Sequence, residues 1–167
     1  ATYTAVFESF TGRKVVVRSL DAGADKPLAF ADLGPEENPA LGVRGLRLQR
    51  ERDDLLTDQL TALARARETT GAEVWVMAPM VATAEEAAWF AARCREVGLP
   101  TAGTMVEVPA AAIRSQHVLD ACDFASIGTN DLSQYLFAAD RMNGALAHLL
   151  SGWQPALWEL IVATVHG

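Results

Sequence analysis

The chain has 167 residues and a formal net charge of −7, and half of its residues are hydrophobic. Such a chain can bury one substantial core and fits a single domain, while its negative charge argues against nucleic acid or an anionic membrane as a partner. No apolar run approaches the roughly 20 residues of a membrane span. Cys94 and Cys122 are the only cysteines, which argues against a disulfide framework and predicts a reducing, cytoplasmic location.

The first half of the chain alternates helical and extended patterns. Apolar residues at helical spacing predict a helix before Gly12, and a β-branched run then predicts a buried strand that ends at Arg18. The Gly-, Asp- and Pro-rich segment that follows is long enough to be a functional loop, or it is a surface excursion. In chain order, the predicted elements are a helix over 3–10, a strand over 15–17, a loop over 21–39, a strand over 42–48 and a helix reaching about residue 67.

The second half repeats this alternation. Thr83 with Glu86 three residues later is a capping box, which predicts a helix that runs to residue 97 and stops at Gly98. Pro109 stands at the start of an alanine-rich helix. In chain order, the predicted elements are strand 74–80, helix 84–97, strand 104–106, helix 109–120, strand 124–127 and a last helix interrupted near residues 152 and 155.

Alternating strands and helices with continuous apolar strands predict a parallel sheet. Arg18, Glu107 and the pair Asn130-Asp131 each stand at or just beyond the carboxyl end of a predicted strand, where a (β/α)₈ barrel carries its active site. No glycine-rich fingerprint follows any strand, which disfavours an open nucleotide-binding sheet. A complete barrel needs eight strands and about 250 residues, so five strands predict an incomplete barrel, a slice of a longer polypeptide whose last strands are absent.

The most informative stretch is the run 126–135 followed by residues 140–143. It ends a strand at Gly128 and continues with the amide of Asn130, the carboxylate of Asp131 and, ten residues after Asp131, the guanidinium of Arg141. Asp131 offers hard oxygen ligands, and Arg141 offers a bidentate fork to a phosphate or carboxylate. The segment therefore suits a metal-bound anionic ligand. A strand followed by a polar helix start, with Asp131 or Ser133 as a cap, explains the same residues equally well.

Several motifs together resemble the C-terminal, phosphoenolpyruvate-binding domain of Enzyme I of the bacterial sugar phosphotransferase system. The matching segments occur in order across nearly the whole chain: Val-Val-Val-Arg-Ser-Leu-Asp at 15–21, Asp-Lys-Pro at 25–27, Asn-Pro-Ala-Leu-Gly-Val-Arg-Gly-Leu-Arg at 38–47, Met-Ala-Pro-Met at 77–80, Met-Val-Glu-Val-Pro-Ala-Ala at 105–111 and the 126–143 run. Pyruvate phosphate dikinase and phosphoenolpyruvate synthase share this barrel and some of the motifs. The sequences at 15–21 and at 131–135, the latter Asp-Leu-Ser-Gln-Tyr, favour Enzyme I over these two enzymes.

The resemblance implies a site that binds phosphoenolpyruvate and Mg²⁺. It assigns Glu107 and Asp131 as magnesium ligands, which fits a cation that takes one or two carboxylates plus substrate oxygens. Arginine supplies the planar bidentate pairing that a trianionic ligand in an acidic protein requires. The substrate-binding residues that the resemblance implies are Arg18, Lys26, Arg44, Asn130, Asp131 and Arg141.

Each assignment has a structural alternative. Arg44 could form a salt bridge with Asp21 or Asp25, and Glu107 could pair with Arg18. If 42–48 is a strand, Arg44 and Arg47 point to opposite faces, and the motif favours Arg44 as the inward residue. The methionines Met77, Met80 and Met105 are predicted to fill the barrel interior.

The resemblance also implies parts that this chain lacks. In the family, phosphate moves from phosphoenolpyruvate to a histidine on a separate N-terminal domain that meets the phosphocarrier protein, as the first step of sugar transport, and the enzyme dimerises through the present domain. None of His117, His148 and His166 lies in a nucleophile motif, and neither cysteine is placed like the family's acid. No catalytic residue is therefore assigned, and the sequence leaves two hypotheses: part of a phosphotransferase, or a non-catalytic binding and dimerisation module.

Overall fold

Four parallel strands form one sheet in which the strands lie in sequence order, β1-β2-β3-β4. The computed structural model describes residues 2–26, 28–31 and 34–166. The strands are β1 (Lys14–Arg18), β2 (Glu73–Ala78), β3 (Thr101–Val106) and β4 (Phe124–Ile127). A sheet that grows in one direction has no point where the strand order reverses, which distinguishes a barrel-type winding from a doubly wound sheet.

Helices connect the strands and also flank them. They are α1 (Thr2–Glu8), α2 (Leu46–Glu51), α3 (Asp53–Thr70), α4 (Ala84–Glu96), α5 (Pro109–Ile113), α6 (Ser115–Leu119), α7 (Thr129–Leu136) and α8 (Pro155–His166), with 3₁₀ turns at Pro39–Leu41 and Gly144–Leu150. Within the described ranges, no helix is both long and apolar enough to cross a bilayer.

The two faces of the sheet differ because side chains alternate along each strand. One face packs against the helices and holds the core, in which Val76, Ala102 and Val106 of the strands are fully buried together with Leu63 and Phe90 of the helices. The side chains that β2 and β3 direct to the core face are small or β-branched, as expected for a parallel sheet covered by helices.

The opposite face of the sheet carries larger side chains at its amino end. The rings of Trp75 and Phe124 lie 4.9 Å apart, and the ammonium of Lys14 stands 3.3 Å from the Trp75 ring centroid. Gly103 lies between them on β3, and a Cβ there would fall 2.5 Å from the Phe124 ring and 2.6 Å from the Phe124 carbonyl oxygen. The absence of a side chain at position 103 therefore lets the Phe124 ring cross β3.

The parallel barrel-type sheet was predicted from the sequence, but one of its five predicted strands, 42–48, is wrong. The segment 42–48 forms only an isolated antiparallel bridge between Arg44 and Gly23 before α2 begins at Leu46. Gly45 has a φ of 56°, a left-handed conformation that interrupts an extended segment. Leu46 and Leu48 are buried, but they belong to the helix α2. Their spacing of two residues imitated a strand over a window too short to distinguish the two periods.

Elsewhere the differences from the predicted elements are smaller. The capping box of Thr83 is confirmed, with the Thr83 hydroxyl accepting from the Glu86 N–H at 3.2 Å. The helix predicted over 109–120 is broken at Arg114 into α5 and α6. The predicted loop 21–39 includes positions 27, 32 and 33, which lie outside the described residues.

Candidate functional site

Charged side chains from separate elements meet beyond the carboxyl ends of the strands. Arg18 ends β1, Glu107 directly follows β3, and Asp131 lies in the first turn of α7, which follows β4. They line a cavity of about 390 Å³. Its charged and amide side chains are Arg18, Lys26, Glu107, Asn130, Asp131 and Arg141, so the structure brings together every sequence-predicted site residue except Arg44.

Arg44 lies behind the cavity wall and is fully buried. Its Nη2 donates to both carboxylate oxygens of Asp21, at 3.3 and 3.1 Å. Its Nη1 lies 3.1 Å from Asp131 Oδ1 and 3.2 Å from Asp25 Oδ2. Both salt bridges offered as the structural alternative for Arg44 are thus present, and a third carboxylate from the cavity joins them. In this arrangement Arg44 contacts the site through Asp131.

Asp21 connects Arg44 to the cations of the cavity. Its side chain is 1% exposed and accepts from Lys26 Nζ at 2.5 Å, while Arg18 Nη1 lies 3.7 Å away. Burial alone would raise the pKa of this carboxyl, but the Lys26 hydrogen bond and the charges of Arg44, Lys26 and Arg18 outweigh it and hold the pKa below the ordinary value. Asp21 is therefore ionised at neutral pH, and its buried carboxylate pairs with three cations, Arg18, Lys26 and Arg44.

Asp131 is held between two guanidinium groups. Its Oδ1 accepts from Arg44, and its Oδ2 accepts from Arg141 Nη1 at 3.3 Å. The first turn of α7 is a favourable place for a carboxylate because of the helix dipole. The N-cap of α7 is Gly128, without a side-chain cap, so neither Asp131 nor Ser133 takes the capping position that the alternative interpretation gave them.

Glu107 is almost completely buried at the floor of the cavity. Its Oε1 accepts from the backbone N–H of Met80 at 2.7 Å. Burial raises the pKa of Glu107, and the nearby Asp131 and Asp21 carboxylates add to this effect. A Cβ at Gly128 would lie 2.7 Å from Glu107 Oε2, so glycine is required there for space. Among the described residues Arg18 pairs with Asp21 and forms no ion pair with Glu107.

The Met80 backbone is unusual, since its φ of 60° is left-handed and the residue is not glycine. This conformation accompanies the hydrogen bond from Met80 to Glu107. The sequence had assigned Met80 to barrel filling only, and nothing in the residue type signals a left-handed backbone. Its side chain is buried, as predicted, but its amide serves the site.

The carboxylates suit a hard divalent cation. Glu107 and Asp131 present oxygen ligands to one cavity. Burial chiefly, and the charge of Asp131 in addition, raise the pKa of Glu107, and a bound cation offsets both effects. Within the described part of the chain, no three His, Cys, Asp or Glu side chains are grouped as a metal site. Two carboxylates fit Mg²⁺, which keeps several water or substrate oxygens, better than a metal that needs an all-protein cage.

Comparisons with known proteins point to one family. The family described as PEP-utilising enzyme, PEP-binding domain, matches residues 1–167. A phosphoenolpyruvate-protein phosphotransferase of Streptomyces coelicolor is 55% identical over 95% of this chain and 29% of its own length. One of Haloferax volcanii is 44% identical over 98% of this chain and 31% of its own length. A multiphosphoryl transfer protein of Xanthomonas campestris is 43% identical over 99% of this chain and 20% of its own length.

The chain spans about a third or less of the length of these relatives. The alignment nevertheless covers nearly all of this chain, and the family match covers every residue of it. The four parallel strands in sequence order are consistent with part of the (β/α)₈ barrel expected for such a domain. The chain belongs to the family of phosphoenolpyruvate-binding domains of phosphoenolpyruvate-utilising enzymes.

Proposed function

We propose that this chain is the phosphoenolpyruvate- and magnesium-binding part of a phosphotransferase that transfers phosphate from phosphoenolpyruvate to a protein histidine, releasing pyruvate, as the first step of sugar phosphotransferase transport. The observation that carries the proposal is the convergence of Arg18, Lys26 and Arg141 with Glu107 and Asp131 on one cavity of about 390 Å³. Cations and carboxylates in one small cavity are what a metal-bound, multiply charged anion requires.

The charge of the site supports a complex of anion and metal over either ion alone. Four cations face four carboxylates in the cavity and directly behind it: Arg18, Lys26, Arg44 and Arg141 against Asp21, Asp25, Glu107 and Asp131. The set has no net charge when all of these groups are ionised. A trianion together with Mg²⁺ adds a single negative charge, whereas either ion alone would leave a larger unbalanced charge in a partly buried site.

The residues have separate roles in this proposal. Glu107 and Asp131 would hold Mg²⁺, which when bound neutralises charge on the phosphoryl group. Arg18, Lys26 and Arg141 bind and orient the phosphate and carboxylate of the substrate, and Asn130 donates a further hydrogen bond. Arg44, paired with Asp131 from behind the wall, holds that carboxylate in place.

No residue of this chain is assigned to accept the phosphoryl group. His117 contacts Arg114 on the surface, and His148 and His166 are exposed. None of the three lines the cavity, and neither does Cys94 or Cys122. The acceptor histidine and the contact with a phosphocarrier protein are therefore proposed to belong to another domain of a longer, cytoplasmic and homodimeric enzyme.

Isothermal titration calorimetry of this chain with phosphoenolpyruvate, with and without Mg²⁺, tests the proposal. We expect magnesium-dependent binding that Glu107→Gln and Asp131→Asn each abolish, while Asp120→Asn, an exposed carboxylate outside the cavity, leaves it unchanged. Circular dichroism checks that each variant is folded. Binding that does not depend on Mg²⁺, or that survives both substitutions, would refute the ligand assignment.

Radiolabelled phosphoenolpyruvate tests the division of labour between domains. We expect this chain with Mg²⁺ to retain no label, because no histidine stands at the cavity. Acid-labile label on His117, His148 or His166, located by mass spectrometry, would contradict the assignment of the acceptor to another domain.

A further inference from the structure

The hydroxyl of Tyr135 reaches the site from the same helix as Asp131. The two residues are four positions apart on α7 and so lie on one face of the helix. Arg44 Nη1 donates to both, at 3.1 Å to Asp131 Oδ1 and 3.2 Å to Tyr135 Oη. The buried guanidinium is thus held by two consecutive turns of α7.

A backbone carbonyl sets the direction of this hydroxyl. Tyr135 Oη also makes a short hydrogen bond with the carbonyl oxygen of Ala40, in the 3₁₀ turn Pro39–Leu41. A carbonyl oxygen can only accept, so Tyr135 donates its hydrogen to Ala40 and turns its lone pairs to Arg44, which can only donate. Burial raises the pKa of Tyr135, so the hydroxyl keeps this hydrogen at neutral pH.

Hydrogen bonds fix the Tyr135 hydroxyl, whereas its half-buried ring has open space beside it. Tyr135 and Ala40 together line two cavities, of about 450 and 250 Å³, the second of which reaches Met80 and Pro109. A ring with open space beside it has few contacts that define one position. Without its hydroxyl, the ring would lose both hydrogen bonds and have this open space beside it.

We propose that Tyr135 is a positioning residue: its hydroxyl, oriented by the Ala40 carbonyl, holds Arg44 against Asp131 and so supports ligand binding in the cavity. This inference rests on the proposed function. Three carboxylates attract Arg44, and one of them, Asp25, competes with Asp131 for the same Nη1, at 3.2 Å against 3.1 Å. Tyr135 is the neutral partner that keeps Nη1 directed to α7.

The test compares the two tyrosines of the chain. Tyr135→Phe removes the hydroxyl and keeps the ring. Tyr3→Phe is the matched control, since the Tyr3 hydroxyl accepts one hydrogen bond from Gln59 at 2.9 Å, and neither residue lines the cavity. With phosphoenolpyruvate and Mg²⁺ in calorimetry, we expect Tyr135→Phe to raise Kd roughly fivefold, the equivalent of about 1 kcal/mol, and Tyr3→Phe to leave it unchanged.

A second readout separates positioning from general packing. Arg44 is the only buried arginine among the described residues, so its guanidinium should give slowly rotating, resolved Nη signals in NMR spectra of the ligand-free chain labelled with ¹⁵N-arginine. We expect these signals to persist in Tyr3→Phe and to broaden or merge in Tyr135→Phe.

The outcomes distinguish the inference from the proposed function. Weaker binding together with altered Arg44 signals supports the positioning role. Unchanged affinity, weaker binding with unchanged Arg44 signals, or a Tyr135→Phe chain that fails to fold overturns it and leaves the proposed function standing. If the unsubstituted chain binds no phosphoenolpyruvate, the proposed function fails and the inference fails with it.

Discussion

Replacing Asp21 by asparagine should destabilise the fold strongly, although Asp21 lies in a loop. The substitution keeps the shape of the side chain but removes the charge that Arg44 and Lys26 share. Breaking a buried ion pair by removing one partner costs about 3–5 kcal/mol. Asp25 and Asp131 still compensate Arg44, and solvent screens the Lys26 pair at its partly exposed end. We therefore expect a loss of about 2–3 kcal/mol.

Urea unfolding at pH 7 measures this loss. With a slope of about 2 kcal/mol/M for a chain of this size, Asp21→Asn should lower the midpoint by about 1–1.5 M. Asp54→Asn is the control, since the Arg52–Asp54 ion pair is exposed and its removal should leave the midpoint unchanged. If the urea midpoint of Asp21→Asn is no lower than that of Asp54→Asn, the reasoning is refuted.

The stability difference between the unsubstituted chain and Asp21→Asn should also depend on pH. The pKa of Asp21 is lower in the folded chain than its ordinary value of 3.8, so between the two values the unfolded chain binds more protons and stability rises with pH. The stabilisation is complete above the ordinary pKa and disappears as pH falls through the folded one. The difference between the unsubstituted chain and Asp21→Asn should therefore persist from pH 7 to about pH 5 and shrink below about pH 4.

Three further predictions follow from the backbone, a cap and a thiol. Met80→Val places a β-branched residue at a φ of 60° and should lower the free energy of unfolding by about 1–3 kcal/mol. The control Met77→Val, in β2, should lower it less. Equal losses of stability in thermal unfolding would contradict strain at Met80. Thr83→Ala removes the cap of α4 and should cost about 1 kcal/mol, with Thr83→Ser restoring most of it; an unchanged melting temperature would contradict this. Burial raises the pKa of Cys94 to about 12, so iodoacetamide at pH 8 should alkylate it only in urea, and rapid labelling of the native chain, seen by mass spectrometry, would disprove its burial.

Features set by short stretches of sequence were predictable. The Thr83 cap depends on a residue three positions away, and the winding of the sheet follows from strands and helices that alternate along the chain. Glu107 and Asp131 could be placed at strand ends for the same reason, since the end of an apolar run shows where a parallel strand stops. Their approach to one cavity then follows from the sheet.

Features set by contacts between distant segments were not predictable from local patterns. The surroundings of Arg44 depend on Gly23 forming a bridge with it, which brings Asp21 and Asp25 to its guanidinium. The sequence offered those carboxylates as possible partners but gave no reason to expect Asp131 beside them. The mistaken strand at 42–48 has a local origin instead, because the left-handed turn at Gly45 separates the bridge at Arg44 from α2 within too few residues to show either period.

The crossing of β3 by the Phe124 ring has a consequence for how this sequence can diverge. A smaller residue at position 124 would clear the ring from Gly103, but the Phe124 carbonyl oxygen would still lie 2.6 Å from any Cβ at 103. Compensation therefore works in one direction only: position 124 can change while 103 stays glycine, but no replacement at 124 makes room for a side chain at 103. A mutational library at this end of the sheet should recover many residues at 124 and glycine alone at 103.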